Sequence, residues 1–351
     1  MRKLYKFFTW MLVFIPVAVY MEYAGYPGLW VFFACVLAIV PLSKFLGKAT
    51  EQVALHSNTM TAGLLNASFG NLIEVVVCVF ALYAGLIGLV KASIFGSIIF
   101  NMLFLIGLAI FVGGIKHSEQ KFDTMSARIS TTMLLIAVIG LAMPTIFQIT
   151  LGSENVQHVS DWVSVVLAIT YICGLIFAFY THKAYFDVID NYVVEKIEPE
   201  WNKNFAVMIM IAASIFATWI ASILVGSVEA TMSTLGWSQD FIGLVIIAIL
   251  SNVAETISAI TMAWRNKISI AIEIGTSSAI QIALFVVPIL VFISLLFQDR
   301  FSLVFNLFQI ISALFAVLIL NFLVADGKSN WLEGMQLISV YLILTIALYF
   351  V

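Results

Sequence analysis

The sequence predicts an all-α membrane protein of about 11 transmembrane helices: two inverted five-helix repeats preceded by one extra N-terminal helix. Three observations carry this. The chain is 63% hydrophobic and only 10% charged, with a mean hydropathy of +1.11, whereas roughly a quarter of the residues of a soluble domain are charged. Apolar runs long enough to cross a bilayer recur along the whole 351 residues. A polar pattern ending in Asn-x-x-Glu interrupts those runs twice, once in each half.

A helix needs about 20 mostly apolar residues to cross the hydrocarbon core. The first span is 7–24. Arg2, Lys3 and Lys6 precede it as they would a signal peptide, but "VAVYMEYAGYPG" has bulky residues where a cleavage site needs small ones, so it reads as a helix. Spans 28–47 and 60–86 follow; Pro41 marks a kink or end in the first, and the second holds the first polar motif. Spans 91–114, 127–149 and 160–182 complete the first half. The polar stretch "FDVIDNYVVEKIEPEWNKN" then breaks the apolar pattern with five acids against two lysines. The second half reads 204–226, 241–264, 269–297, 301–323 and 332–351. Pro144 and Pro288 are further kinks or ends. Trp10, Trp30, Trp162, Trp237 and Trp331 fall near predicted interfaces, as an aromatic belt does.

Lysine and arginine set the orientation. With the N-terminus cytoplasmic, the inside holds Arg2, Lys3, Lys6, Lys44, Lys48, Lys116, Lys121, Arg128, Lys183, Lys196, Lys203, Arg265, Lys267 and Lys328; the outside holds Lys91 and Arg300. Omitting one early span would scramble this bias. The expected organisation is an extra helix at 1–26, a first repeat at 27–185, an acidic cytoplasmic linker at 186–203 and a second, inverted repeat at 204–351, with the C-terminus outside.

The repeat shows when "AGLLNASFGNLIE" (62–74) is set beside "GLVIIAILSNVAE" (243–255). Each ends in a small residue, an asparagine and a glutamate three positions on: Gly70, Asn71 and Glu74, then Ser251, Asn252 and Glu255. Each is followed by a span with small and amide residues, "GSIIFN" ending at Asn101 and "GTSSAIQ" ending at Gln281. The two motif spans run in opposite directions across the bilayer. Inverted repeats with polar, broken helices mark secondary transporters, with the site near the midplane.

The residue types indicate the cargo. Residues three and four apart share a helix face, so each motif presents its small residue, amide and carboxylate together. Glycine and asparagine are poor helix formers, and a break at this depth aims backbone carbonyls into a polar cavity. All the ligands offered are oxygens. Hard cations take such oxygens, and Ca²⁺ accepts six to eight of them. Zinc and copper would recruit nitrogen or sulfur. The three cysteines, Cys35, Cys78 and Cys173, read as small hydrophobes, and none of the four histidines lies deep in a span. Two carboxylates in one low-dielectric cavity disfavour the bare dianion. They are comfortable when protonated or when holding a divalent cation, and that competition is an exchange mechanism. Asn101, Gln281, Ser97 and Ser278 are candidates for a supporting layer around the ion. Glu51 and Glu229, near the ends of corresponding helices, are candidate entry-path acids.

The stretches "GLLNASFGNLIE", "GSIIFN", "SNVAETISAITMAWRNKISI" and "QIALFVVPILVF" resemble the calcium/proton exchanger family of the calcium/cation antiporters, from about residue 28 onward. The resemblance implies eleven helices in a bacterial plasma membrane. It implies exchange of cytosolic Ca²⁺ for external H⁺, with Glu74 and Glu255 carrying the ion and Asn71 and Asn252 beside them. Where the family's second motif usually reads Gly-Asn-x-x-Glu-His, this chain has Ser251 and Thr256; serine makes a helix break there less expected. Ca²⁺ and protons are the expected substrates, with no cofactor, no nucleic acid partner and the lipid bilayer as surroundings; a homo-oligomer is left open. Na⁺ coupling is the nearest alternative. An intramembrane enzyme using two carboxylates would not need an inverted repeat.

Overall fold

The computed structural model describes residues 2–57, 61, 65–66, 68–182 and 199–350. Among them the fold is almost wholly helical. Helix α1 is Arg2–Met11, α2 Phe14–Tyr23, α3 Gly28–Leu55, α4 Leu72–Tyr83, α5 Ile87–Lys116, α6 Thr124–Leu151 and α7 Val156–Thr181. In the second half α8 is Lys203–Gly226, α9 Val228–Leu235, α10 Gln239–Ser251, α11 Val253–Trp264, α12 Ile268–Leu296, α13 Leu307–Leu323 and α14 Trp331–Tyr349. Strands β1 (Gln120–Lys121) and β2 (Lys328–Ser329) form one short antiparallel ladder. Most of the acidic linker expected at 186–203 lies outside the described residues.

Among the described residues, 8 helices are long and apolar enough to cross a membrane, or up to 9 if α9 and α10, bent by 118°, form one span. This is fewer than the eleven expected. Each of the expected spans nevertheless contains a helix; 7–24 is interrupted between α1 and α2, and three more are cut short or broken for identifiable reasons. Helix α4 starts only at Leu72, because the chain turns at Gly70 and Asn71. The expected span 241–264 is broken at Asn252 into α10 and α11. The expected span 301–323 begins with extended chain, and its helix starts at Leu307.

The chain forms two compact units, and each draws on both halves of the sequence: residues 1–93 with 198–254, and 94–197 with 255–350. In the first unit, α3 lies along α8, and α2, α4, α9 and α10 pack around this pair. The buried face of α8 includes Ala206, Ala213, Ala217 and Ala221. Small residues at this spacing let two membrane helices approach closely, which is where their dispersion attraction comes from. At one end, Lys48 of α3 pairs with Glu200 at 2.6 Å, Gln52 accepts from the Trp201 backbone N–H at 3.0 Å, and His56 bonds the Trp201 carbonyl at 2.8 Å. Together these tie the described end of the linker to α3.

In the second unit, α14 packs along α5, while α6 contacts α7, α12 and α13. Gly107 and Gly334 make the α5–α14 contact possible: a methyl on Gly334 would run into the backbone of Phe111. The extended segment before α13 is buried at alternate residues, Phe301, Leu303 and Phe305. Its backbone N–H groups find side-chain partners: Leu303 donates to Ser160 at 3.0 Å and Phe305 to Thr145 at 2.8 Å. Irregular backbone at membrane depth is tolerated where protein satisfies it in this way. Arg300 closes the segment on α7 with two bonds to Asp161, at 2.9 and 3.0 Å.

Candidate ion-binding site

The first motif straddles the start of α4. The Gly70 N–H still donates to the Asn66 carbonyl at 2.8 Å, as in a helix. Asn71 then leaves helical geometry, with φ −104° and ψ 20°, and its carbonyl accepts the first bond of α4 from Val75 at 3.0 Å. Glu74 falls in the first turn of α4 and is fully buried; Asn71 is buried too and Gly70 half-buried.

The second motif repeats this geometry. Asn252 has φ −104° and ψ 15°, and Glu255 falls in the first turn of α11. Serine at 251 therefore does not prevent the break. The reason is local: the Ser251 hydroxyl donates to the Ile247 carbonyl at 3.0 Å, and the Asn252 amide donates to the Ala248 carbonyl at 2.9 Å and to Ser251 Oγ at 3.0 Å. These side chains take up carbonyls at the end of α10, as residues that compete with the helix ladder do. Ser251 and Asn252 are buried and Glu255 is half-buried. Each glutamate thus sits at a helix N-terminus, where the dipole favours negative charge.

Gly70, Asn71, Glu74, Ser251 and Asn252 belong to the first unit, where α4 contacts the Ala248–Ser251 turn. Ser43 of α3 also reaches this turn, its hydroxyl donating to the Ser251 carbonyl at 3.4 Å. Nothing in its apolar run singled it out. Glu51 and Glu229 lie in this unit as well, and both are exposed.

Glu255, Ser97, Asn101, Ser278 and Gln281 belong to the second unit. Here Asn101 Nδ2 donates to Ser278 Oγ at 2.9 Å between two buried side chains. Gln281 turns to Ser277 instead, at 3.4 Å. The Ser97 hydroxyl is fully buried, with no hydrogen-bond partner among the described residues. Gly275 lets the Asn101 backbone carbonyl approach, since a methyl there would meet it at 3.0 Å. Both helices widen into π-helical turns at this level, Phe100–Leu105 in α5 and Ile282–Val286 in α12. Such turns concentrate at functional sites. The Glu273 carboxylate accepts from the Ser126 hydroxyl of α6 at 2.9 Å.

Among the described residues no group of three or more His, Cys, Asp or Glu side chains is placed to hold a metal ion. Beside either carboxylate taken by itself, a cation would draw on amide, hydroxyl and backbone oxygens, a donor set for a hard ion.

Known proteins agree with this reading of the fold. The family described as "Sodium/calcium exchanger protein" matches residues 27–180 and 205–350. The Ca²⁺/H⁺ antiporter ChaA of Bacillus subtilis (strain 168) is 35% identical over 98% of both chains. A Ca²⁺/H⁺ antiporter of Aphanothece halophytica is also 35% identical, over 98% of this chain and 96% of its own. The solved structure of native YfkE superposes with a TM-score of 0.86 at 33% identity, covering 98% of this chain and 100% of its own. The chain therefore belongs to the sodium/calcium exchanger protein family and is a transporter, not an enzyme.

Proposed function

We propose that the chain is a secondary antiporter that moves Ca²⁺ against protons by alternating access, with Glu74 and Glu255 taking up either the divalent cation or protons. The observation that carries this is the matched pair of helix breaks. Asn71 and Asn252 share one off-helix conformation, each three residues ahead of a glutamate in the first turn of the next helix. Two motifs with the same local geometry, in spans expected to run in opposite directions, support an inverted repeat. The names of the relatives point to the same cargo and counter-ion.

The chemistry follows from burial. An ionised acidic residue at the centre of a membrane span costs roughly 2.5 to 3.5 kcal/mol on translocon scales, more than the roughly 0.3 to 1 kcal/mol that a helix N-terminus typically returns. A carboxylate here is therefore stable with a proton or a cation and disfavoured with neither. Protons and Ca²⁺ displace one another from the same oxygens. When only loaded carriers reorient, inward proton movement drives Ca²⁺ outward. Asn71 and Asn252 would add amide oxygens, and the breaks would add carbonyls. Asn101, Ser97, Ser278 and Gln281 would orient the surroundings, and Glu51 and Glu229 would attract cations on the way in. The N-terminus lies on the cytoplasmic side in this scheme.

The family's description also names sodium, which favours Na⁺-coupled Ca²⁺ exchange as the second reading. Everted membrane vesicles separate the two. A pH gradient imposed without sodium drives Ca²⁺ uptake if protons are the counter-ion. Uptake that appears only when sodium is supplied overturns the proton reading.

A further inference from the structure

One acid of the second unit has no part in the exchange described above. The first turn of α12 holds no acidic residue; Glu273 lies beyond it and is half-buried. Its carboxylate accepts from Ser126 of α6 at 2.9 Å. The charged group that acts on it is Asp123, the N-cap of α6, which has the same sign. An amide at position 273 could accept the same hydrogen bond, so joining α6 to α12 does not by itself call for a carboxylate. Ionisable residues within membrane spans mark ion pathways and proton relays.

Glu273 also begins a row. Ser277 and Gln281 follow it at intervals of four, which puts the three side chains on one face of α12. Glu273 and Ser277 are half-buried and Gln281 is buried, so the row passes from accessible surface into the protein. At its inner end Gln281 Nε2 donates to Ser277 Oγ at 3.4 Å, and the neighbouring Ser278 accepts from Asn101 at 2.9 Å. At its outer end the Asp123 N–H donates to Ser269 Oγ at 3.3 Å, which sets the start of α12 against the polar connection between α5 and α6. The row therefore starts at the watery end of the helix. Four residues rise about 6 Å, a step that one bridging water completes.

We propose that Glu273 is the acid through which protons pass between the water at this end of α12 and the buried polar cluster of Asn101, Ser278 and Gln281. The inference rests on the proton-coupled exchange proposed above. A proton leaving the cluster binds Ser277 Oγ, whose own hydrogen passes through water to Glu273. Glu273 then releases a proton to bulk water. Each O–H bond that forms is matched by one that breaks, and the carboxylate ends as it began.

The test uses the full-length chain in everted vesicles, with Ca²⁺ uptake driven by a pH gradient and scaled to inserted protein. Glu273→Gln keeps an acceptor for Ser126 but cannot take up a proton. Its maximal rate should fall on the order of 100-fold, the lower end of what a positioned proton-transfer group contributes. Its half-saturation for Ca²⁺ should stay within about twofold of the parent's, because a relay changes a rate and not an affinity. Glu273→Asp, which keeps a carboxylate, should restore most of the rate. Ser126→Ala, which removes the bond between the helices and leaves the carboxylate, should transport nearly as the parent does. A parent-like rate in Glu273→Gln overturns the proposal. So does an equal loss in Ser126→Ala or in Glu273→Asp, or a weakened half-saturation with an unchanged maximal rate. A parent protein that takes up no Ca²⁺ under the pH gradient overturns the proton-exchange reading itself, and this inference with it.

Discussion

Replacing Glu74 by glutamine tests the central role proposed for the buried carboxylates. The side chain is fully buried, and glutamine has nearly the same shape, so the change removes a charge and little else. Water does not screen a group in that position. Losing one member of a buried charge interaction typically costs about 2 to 5 kcal/mol, which converts to a roughly 30-fold to several-thousand-fold weaker hold on Ca²⁺. Two assays bear on this. Everted vesicles report proton-driven Ca²⁺ uptake per amount of inserted protein, and thermal unfolding in detergent reports the fold. Uptake should fall to background while the unfolding midpoint moves little. Uptake within a factor of two of the parent protein, with normal insertion, would refute a cargo-binding role for Glu74.

Three further predictions follow from the geometry. If protons and Ca²⁺ share the carboxylates, binding Ca²⁺ releases protons, so the apparent Ca²⁺ affinity should rise with pH; flat half-saturation in uptake assays between acidic and alkaline pH contradicts the shared site. Asn252→Ala removes the buried amide that donates to Ala248 and Ser251, which should cost about 1 to 3 kcal/mol; denaturation showing no loss of stability would mean that the break holds without it. Gly334→Ala gains about 1 kcal/mol of intrinsic helix propensity, yet drives a methyl into the Phe111 backbone, which cannot rotate away. Overpacking of about 1 to 3 kcal/mol should win and lower the unfolding midpoint.

Much of the fold was legible because the bilayer imposes a length on every apolar run. The ends of α6, α8 and α14 fall close to the sequence boundaries for that reason. Hydropathy places residues 301–306 in a helical span because it averages over a window, whereas the structure has them extended. The period-two alternation of Phe301, Leu303 and Phe305, followed by Asn306 as a helix cap, was the local signal for extended chain. The break at Asn252 was only half expected. Serine carries the restriction of a Cβ that glycine lacks, but its hydroxyl can bond a carbonyl of the preceding turn, and a motif read for glycine alone misses that.

The sequence by itself determined that this is a membrane protein with two glutamates in otherwise apolar spans, each announced by an asparagine. Burial cost makes such residues rare, so their presence in lipid-spanning runs stands out without any coordinates. Only the tertiary structure decided that Asn71 and Asn252 adopt the same off-helix conformation, that Asn101 bonds Ser278, and that each compact unit is assembled from both halves of the chain. Hydropathy records the exchange of water for lipid, residue by residue. Pairing between residues far apart in the chain depends on directional hydrogen bonds and on backbone approach at small residues, which that scale does not contain.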